Sequence, residues 1–521
     1  MLKPLPIGTA VFRDMIQGGY LYVDKTRYIY ELVRMYKGVY FLSRPRRFGK
    51  SLMISTLSEI FQGNRELFKG LWIGQQTDYD WTTYPVIRLN FADEPVQSAA
   101  SLTEVLTVYL HEIAAYHQVP LDEGPPARQF RELIRQLAER NEEERVVILI
   151  DEYDKPILDN LDDLDKAEEI RKVLKGFYGV IKAMDPYIRF VFITGISKFT
   201  KVSIFSDLNN LDDLTLQTSM AAALGLTEAE INEHFRAYID AFAAKEGMTN
   251  EAFMDKMRTW YNGFCFAPDG ENVYNPFSTL LLFKTERFAN HWFETGTPNF
   301  LVRLIRNGNS DVERYEALQV VETAFSIYDI RRLSIVPLLF QTGYLTIKDY
   351  DKERQLFTLS YPNYEVRNAF LSNVLDVFSN LEQGFSVSYL WQLIDALQKQ
   401  DLEGFFTILR TLYANIDYDL QLNHEKYYQT IFYLIFKLIG LRIAAEVKTG
   451  TGRIDAVIEL ADHIYLFEFK LNQDATVALD QIKNKAYYQK YHLHGKPITQ
   501  VGANFNTVTR TITDWQAAVV A

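Results

Sequence analysis

Lys50 and Ser51 close a basic loop, Ser43-Arg44-Pro45-Arg46-Arg47-Phe48-Gly49-Lys50-Ser51. A lysine followed by a hydroxyl suits a bound triphosphate. The ammonium of Lys50 is placed to reach β- and γ-phosphates, and the Ser51 hydroxyl to hold Mg²⁺. Further along, Asp151 and Glu152 end a run of apolar residues, Val146-Val147-Ile148-Leu149-Ile150. Asp151 suits the Mg²⁺ shell, and Glu152 suits a residue that orients or deprotonates an attacking water.

A second set lies near the other end of the chain. Asp455 sits in Arg453-Ile454-Asp455-Ala456-Val457, and Glu468 and Lys470 in Tyr465-Leu466-Phe467-Glu468-Phe469-Lys470. Residues two apart on a strand share a face, so Glu468 and Lys470 point the same way and can converge with Asp455. Two carboxylates beside a lysine make a hard, oxygen-lined Mg²⁺ site with a cation next to it. Such a set suits phosphodiester hydrolysis, with Lys470 positioning water or offsetting developing charge. Glu425, on the preceding helix, is a further candidate metal ligand, and Gln481 and Lys485 are candidates to face the substrate backbone. Charged residues on an open hairpin face are common, but Glu468 and Lys470 interrupt an apolar, aromatic run where an unpartnered charge is costly to bury.

The elements around the first set must bring its parts together. Val39-Tyr40-Phe41-Leu42 reads as a buried strand, and Leu52 to Phe61 as a helix. Strand, tight loop and Gly-Lys-Ser opening a helix form a phosphate-binding loop, whose N–H groups and helix dipole favour anions. The loop departs from the usual pattern: Arg44 stands where a first glycine is expected, and Pro45 has no N–H to donate. Gly-Lys-Ser alone also fits an ordinary basic loop, and the Asp151 strand decides between them. Pro85 to Phe91 reads as another strand, with helices over 98–118, 127–141 and 164–184. Tyr187 to Thr194 is a fourth strand, and its polar tip marks Thr194 as the first candidate for sensing the γ-phosphate, with Ser197 or Lys198 second. Leu211 to Leu216 reads as a fifth. Strands alternating with helices predict an α/β fold with a doubly wound parallel sheet.

Before this core, Asp24 or Thr26 can cap a helix from Arg27 to Tyr36. After it, Thr227 to Glu230 begins a helical block read as a lid, with Trp260-Tyr261-Asn262-Gly263-Phe264 as packing and turn residues. The expected domains are 1–225, the nucleotide core; 226–395, the lid and linking region; and 396–521, the second site. In that last part Arg442 to Val447 reads as a strand, Gly450-Thr451-Gly452 as a turn and Ala478 to Tyr491 as an amphipathic helix.

Composition narrows the classes. The 521 residues are 48% hydrophobic and carry a net charge of −12, so the surface as a whole does not attract nucleic acid. Residues 421–521 hold eight Lys and three Arg against four Glu and five Asp, a net +2, which makes this part the less acidic place for a polyanion. The single cysteine, Cys265, excludes a disulfide framework and a cysteine-based zinc site. No signal-peptide or membrane-spanning pattern stands out, so a cytoplasmic protein with no membrane partner is expected.

Taken together, the quoted motifs resemble the AAA-ATPase-like family of P-loop proteins with a C-terminal PD-(D/E)XK nuclease domain. The resemblance extends to Tyr22-Val23-Asp24-Lys25-Thr26 and Asp151-Glu152-Tyr153-Asp154, and it makes Arg44 and Pro45 family traits. It implies ATP binding and a restriction-endonuclease-like second fold. Read with the residues themselves, the expected cofactors are ATP and Mg²⁺, with Arg46, Arg47, Phe48, Gly49, Lys50, Ser51, Asp151 and Thr194 expected around the nucleotide. One of Arg46 and Arg47 is suggested to stabilise transition-state charge. No proline precedes Asp455, a departure from the motif's name that this fold tolerates. The expected activity is an ATP-regulated, Mg²⁺-dependent nuclease on nucleic acid, DNA ahead of RNA, with a homo-oligomer left open. The alternatives are a nucleotide switch or scaffold whose C-terminal domain binds nucleic acid or protein without cutting, and a motor ATPase.

Overall fold

The computed structural model describes residues 2–92, 94–198, 205, 210–292, 312–325, 335–379, 381–382, 384–414, 424–443, 447–449, 455–485 and 487–520. The chain divides into two compact units, one of Met1–Phe300 with Tyr315–Val366 and one of Leu301–Arg314 with Arg367–Ala521.

The first unit is built on five parallel strands: β1 (Gly38–Ser43), β2 (Val86–Asn90), β3 (Val146–Asp151), β4 (Ile188–Gly195) and β5 (Asp212–Asp213). Their order across the sheet is β2-β3-β4-β1-β5. Every residue of β3 and β4 is buried, which is why both read as apolar runs, interrupted in β4 by the buried Arg189. Register then does the positioning. Leu42 pairs with Thr194 and Ser43 with Gly195, while Ile150 pairs with Ile193. The carboxyl ends of β1, β3 and β4 therefore bring the phosphate loop, Asp151 and Thr194 to one edge, where open α/β sheets place their chemistry.

Helices Ala99–Tyr116, Pro126–Glu139 and Leu164–Ala183 fall where the apolar spacing predicts them. The helix after Asp24 runs over Thr26–Val33 rather than Arg27 to Tyr36. Asp24 fixes its start, accepting the Thr26 N–H at 2.8 Å and the Thr26 hydroxyl at 2.7 Å, and its other oxygen takes the Trp72 N–H at 2.7 Å.

The block from Thr227 opens with a complete capping box between Thr227 and Glu230. Its helices Glu228–His234, Arg236–Lys245, Asn250–Tyr261 and Pro276–Thr285 share a core that includes Phe235, Ile239, Phe253, Met257 and Leu282. A three-stranded antiparallel sheet, β6 (Leu318–Val321), β7 (Thr346–Asp351) and β8 (Leu356–Ser360), completes the strands of this unit.

The second unit carries a separate five-stranded sheet of β9 (Val447–Thr449), β10 (Ala456–Glu459), β11 (Ile464–Leu471), β12 (Ile498–Asn506) and β13 (Thr511–Val520), in the order β13-β12-β11-β10-β9. β9, β10 and β11 are antiparallel neighbours, and β11 and β12 are parallel. The crossover between that parallel pair contains the helix Ala475–Asn484.

Two expected boundaries shift. The helix His424–Ile443 takes in Arg442 and Ile443, continuing the apolar run from Ile431 through Gly440, and the described part of the expected strand is Val447, in β9. The crossover helix starts at Ala475, not Ala478. Asp474 caps it by accepting the Thr476 N–H at 2.9 Å. The expected Gly450–Gly452 turn lies outside the described residues. Among the described residues, no helix is long and apolar enough to cross a membrane.

Candidate functional site

In the phosphate loop, the three arginines have three different environments. Arg44 is buried. Its guanidinium donates to the carbonyls of Ser43 and Thr215, both at 2.9 Å, and of Met220 at 3.1 Å, and it lies 4.4 Å from the Phe266 ring. Burial pushes its pKa down to about 9, partly opposed by Asp213. Arg47 is left-handed, with φ 67°, and its guanidinium stacks over Phe277 at 4.7 Å. Arg46 is held through its main chain, where the Trp292 indole N–H donates to its carbonyl at 3.1 Å.

Phe48 packs edge-on against Phe264 and Phe266, with centroids at 4.9 and 5.2 Å. The aromatic Trp260–Phe264 punctuation thus leads into residues that pack beneath the loop. Gly49 takes φ 96°, a conformation open to glycine, and Lys50 begins the helix Lys50–Phe61.

Lys50 is buried, and its ammonium donates to the carbonyls of Arg44 and Pro45, both at 3.0 Å. Burial lowers its pKa, while Glu152 and Asp151 act in the opposite direction and Arg46 adds to the lowering. Lys50 therefore lies within the electrostatic reach of both acids. Glu152 stands at φ 51°, and burial raises its pKa against the pull of Lys50. Arg46 to Ser51 and Glu152 line a cavity of about 490 Å³, closed on other sides by Leu21–Val23, Ala223–Leu226 and Phe277. This volume falls in the usual range for small-molecule sites.

Asp151 and Thr194 meet behind that lining. The Thr194 hydroxyl donates to Asp151 Oδ1 at 2.6 Å, and among the described residues the buried Asp151 Oδ2 has no partner. A buried carboxylate oxygen in that state suits a hard cation such as Mg²⁺. The two other sensor candidates have further contacts. Ser197 gives its N–H and hydroxyl to Asp154, both at 2.6 Å, and Lys198 pairs with Asp213 at 3.1 Å. Asp154, quoted in the acidic run but given no role from sequence, is a fully buried carboxylate that ties the end of β3 to the segment after β4.

In the second unit, Asp455 precedes β10 and its Oδ2 accepts the Phe469 N–H at 2.6 Å. That peptide lies between Glu468 and Lys470 on β11. Lys470 Nζ is 3.0 Å from Glu468 Oε1. Gln481, from the crossover helix, donates to the same oxygen rather than facing outward. Glu468 is 2% exposed, and among the described residues its buried Oε2 has no partner. Desolvation pushes the pKa of Asp455 up to about 6, with Glu468 raising it further and the Phe469 N–H and Lys470 opposing.

Asp455, Glu468 and Lys470 thus converge, with a carboxylate oxygen left over that fits a divalent cation. Among the described residues, no group of three or more His, Cys, Asp or Glu gathers at metal-holding distance, so the carboxylates here are a pair. Glu425 belongs to the first turn of the helix His424–Ile443, and its side chain lies outside the described residues.

A P-loop core with a sheet of this order, joined to a sheet carrying Asp, Glu-x-Lys and a crossover helix, defines an ATPase-like protein with a nuclease-like domain. Residues 6–205 match the family model described as "Predicted AAA-ATPase", and residues 423–515 match that of the PD-(D/E)XK nuclease superfamily. A protein of Azotobacter chroococcum mcd 1, described as "Uncharacterized protein in vnfD 5'region", is 38% identical over 526 residues, covering 98% of each chain. The chain belongs to the AAA-ATPase-like family and ends in a PD-(D/E)XK nuclease superfamily domain.

Proposed function

We propose that this protein binds and hydrolyses ATP with Mg²⁺ at its phosphate loop and, under the control of that nucleotide, cuts nucleic-acid phosphodiester bonds at Asp455, Glu468 and Lys470. The observation that carries the reading is the unpartnered, buried Glu468 Oε2 beside Asp455 and Lys470. A buried carboxylate oxygen left without a donor is costly, and a divalent cation offsets the cost.

At the nucleotide site, Ser51 and Asp151 would hold Mg²⁺, with Lys50 and the loop N–H groups on the phosphates. Lys50 already lies along the loop, and a phosphate would replace the Arg44 and Pro45 carbonyls as its partner. Glu152, whose burial raises its proton affinity, takes a proton from water more readily than an exposed carboxylate does.

At the second site, Asp455 and Glu468 would hold the metal, and Mg²⁺ there would polarise the scissile phosphate and acidify bound water. Lys470, 3.0 Å from Glu468, offers a donor to the developing charge. Gln481 fixes the Glu468 rotamer. Nucleic acid is the proposed partner, DNA ahead of RNA.

The test is incubation of purified protein with DNA and with RNA in Mg²⁺ or Mn²⁺, with and without ATP, for wild type and Lys50→Ala. Cutting that needs metal and changes with Lys50→Ala is expected. Intact nucleic acid in every condition, alongside ATP binding, would favour a switch that binds without cutting.

A further inference from the structure

The cationic side chains lining the cavity are Lys25, Arg46, Arg47, Lys50 and Lys155. Each has a partner except one. Lys25 pairs with Glu230 at 2.6 Å and Lys155 with Asp159 at 2.5 Å. Lys50 rests on two loop carbonyls, and Arg47 on the face of Phe277. Among the described residues, the Arg46 guanidinium makes no hydrogen bond, ion pair or ring contact.

Its main chain is nevertheless fixed. Trp292 holds the Arg46 carbonyl through its indole and donates its own N–H to the buried Glu365 at 2.6 Å. On the other side, Arg47 is locked left-handed under its stack. A half-buried guanidinium on a fixed backbone, facing a cavity shared with Lys50 and Ser51, is arranged for an anion that the protein itself does not supply. Arg46 also acts electrostatically on both Lys50 and Glu152.

We infer that Arg46 is a catalytic arginine acting in cis: its guanidinium meets the γ-phosphate of the bound nucleotide, so one chain hydrolyses ATP without an arginine from a second copy. This rests on the ATPase reading above. In the step, the oxygen of a water bonds to the γ-phosphorus as the bond from that phosphorus to the β–γ bridging oxygen breaks. ADP leaves with the electron pair, inorganic phosphate forms, and the proton of the water passes to Glu152 and then to solvent. Negative charge grows on the bridging and γ-oxygens, and Arg46 stabilises it there.

The test compares wild type, Arg46→Ala and Arg46→Lys in two measurements on the full chain. One is phosphate release from ATP, and the other is binding of ADP alone and of ADP with aluminium fluoride, which mimics the transferring phosphoryl group. Arg46→Ala is expected to lose at least about a hundredfold in turnover and to lose the tightening that fluoride brings. Its ADP affinity stays within about threefold of wild type, which also shows that the site is folded. Arg46→Lys stays well below wild type, since an ammonium lacks the forked donors. The turnover per wild-type chain is unchanged on dilution.

Arg46→Ala turning over like wild type, or wild-type turnover per chain collapsing on dilution, would overturn the inference while leaving the ATPase reading intact. Wild-type protein that binds neither ADP nor ATP would remove both.

Discussion

Thr194 donates its hydroxyl to Asp151 across the ends of two parallel strands, at 2.6 Å, and the other Asp151 oxygen is buried and, among the described residues, unpartnered. The bond sets the rotamer of the acid proposed for Mg²⁺. Thr194→Val keeps the shape and removes the donor. We expect a stability loss of roughly 1–3 kcal/mol, as for other hydrogen bonds to charged groups. Mg-ATP turnover should fall by about tenfold or more, while ADP binding without Mg²⁺ persists. Chemical unfolding and phosphate release measure the two parts. Unchanged turnover would separate Thr194 from the chemistry.

Arg44 supports the loop from inside. Arg44→Gly would restore the glycine that phosphate loops usually carry there. It would also strip three carbonyls of their donor and open a void beside Phe266. The expected cost is roughly 3–5 kcal/mol, read as a lower thermal midpoint. A variant as stable as wild type would show that the guanidinium is dispensable.

Asp455 keeps its proton up to about pH 6, against an ordinary 3.8. Between those values the folded chain binds more protons than the unfolded one. Stability at this group is therefore highest below the ordinary value and falls as pH rises through the window, with the full penalty present above about 6. Asp455→Asn keeps an oxygen for the Phe469 N–H and removes the charge. Near neutral pH, without metal, it should be more stable than wild type by roughly 1–3 kcal/mol, and the gain should vanish in acid. Cutting requires the ionised acid, so activity should climb as pH rises through about 6, with added Mg²⁺ moving the midpoint lower. Melting curves and a pH–rate profile check both halves. A stability gain that persists unchanged in acid would rule out titration of Asp455 as its source.

Much of this was legible in the chain because fully buried parallel strands must be apolar on both faces. Val146 to Ile150 and Ile188 to Ile193 announce themselves for that reason, and the polar residues at their tips then mark the edge of the sheet. Glu468 and Lys470 stood out as charges in an aromatic strand, and the period of two placed them together. What could not be read depends on residues far apart in sequence. Arg44 looked like one more basic residue near phosphate, and only its contacts with Thr215 and Met220 turn it inward. Trp292 grips the loop from 246 residues away and leaves no local pattern. Gln481 has a helical period that says it is near the site, but not that it bonds Glu468.

The central claim is that Asp455, Glu468 and Lys470 form a metal-dependent cutting centre. The most direct measurement is cleavage of DNA and RNA by wild type and Lys470→Ala at equal concentration in Mg²⁺, with circular dichroism confirming that both are folded. The account predicts cleavage by wild type, none with chelator, and a loss of about a hundredfold or more in Lys470→Ala. Cleavage by Lys470→Ala at the wild-type rate would contradict it.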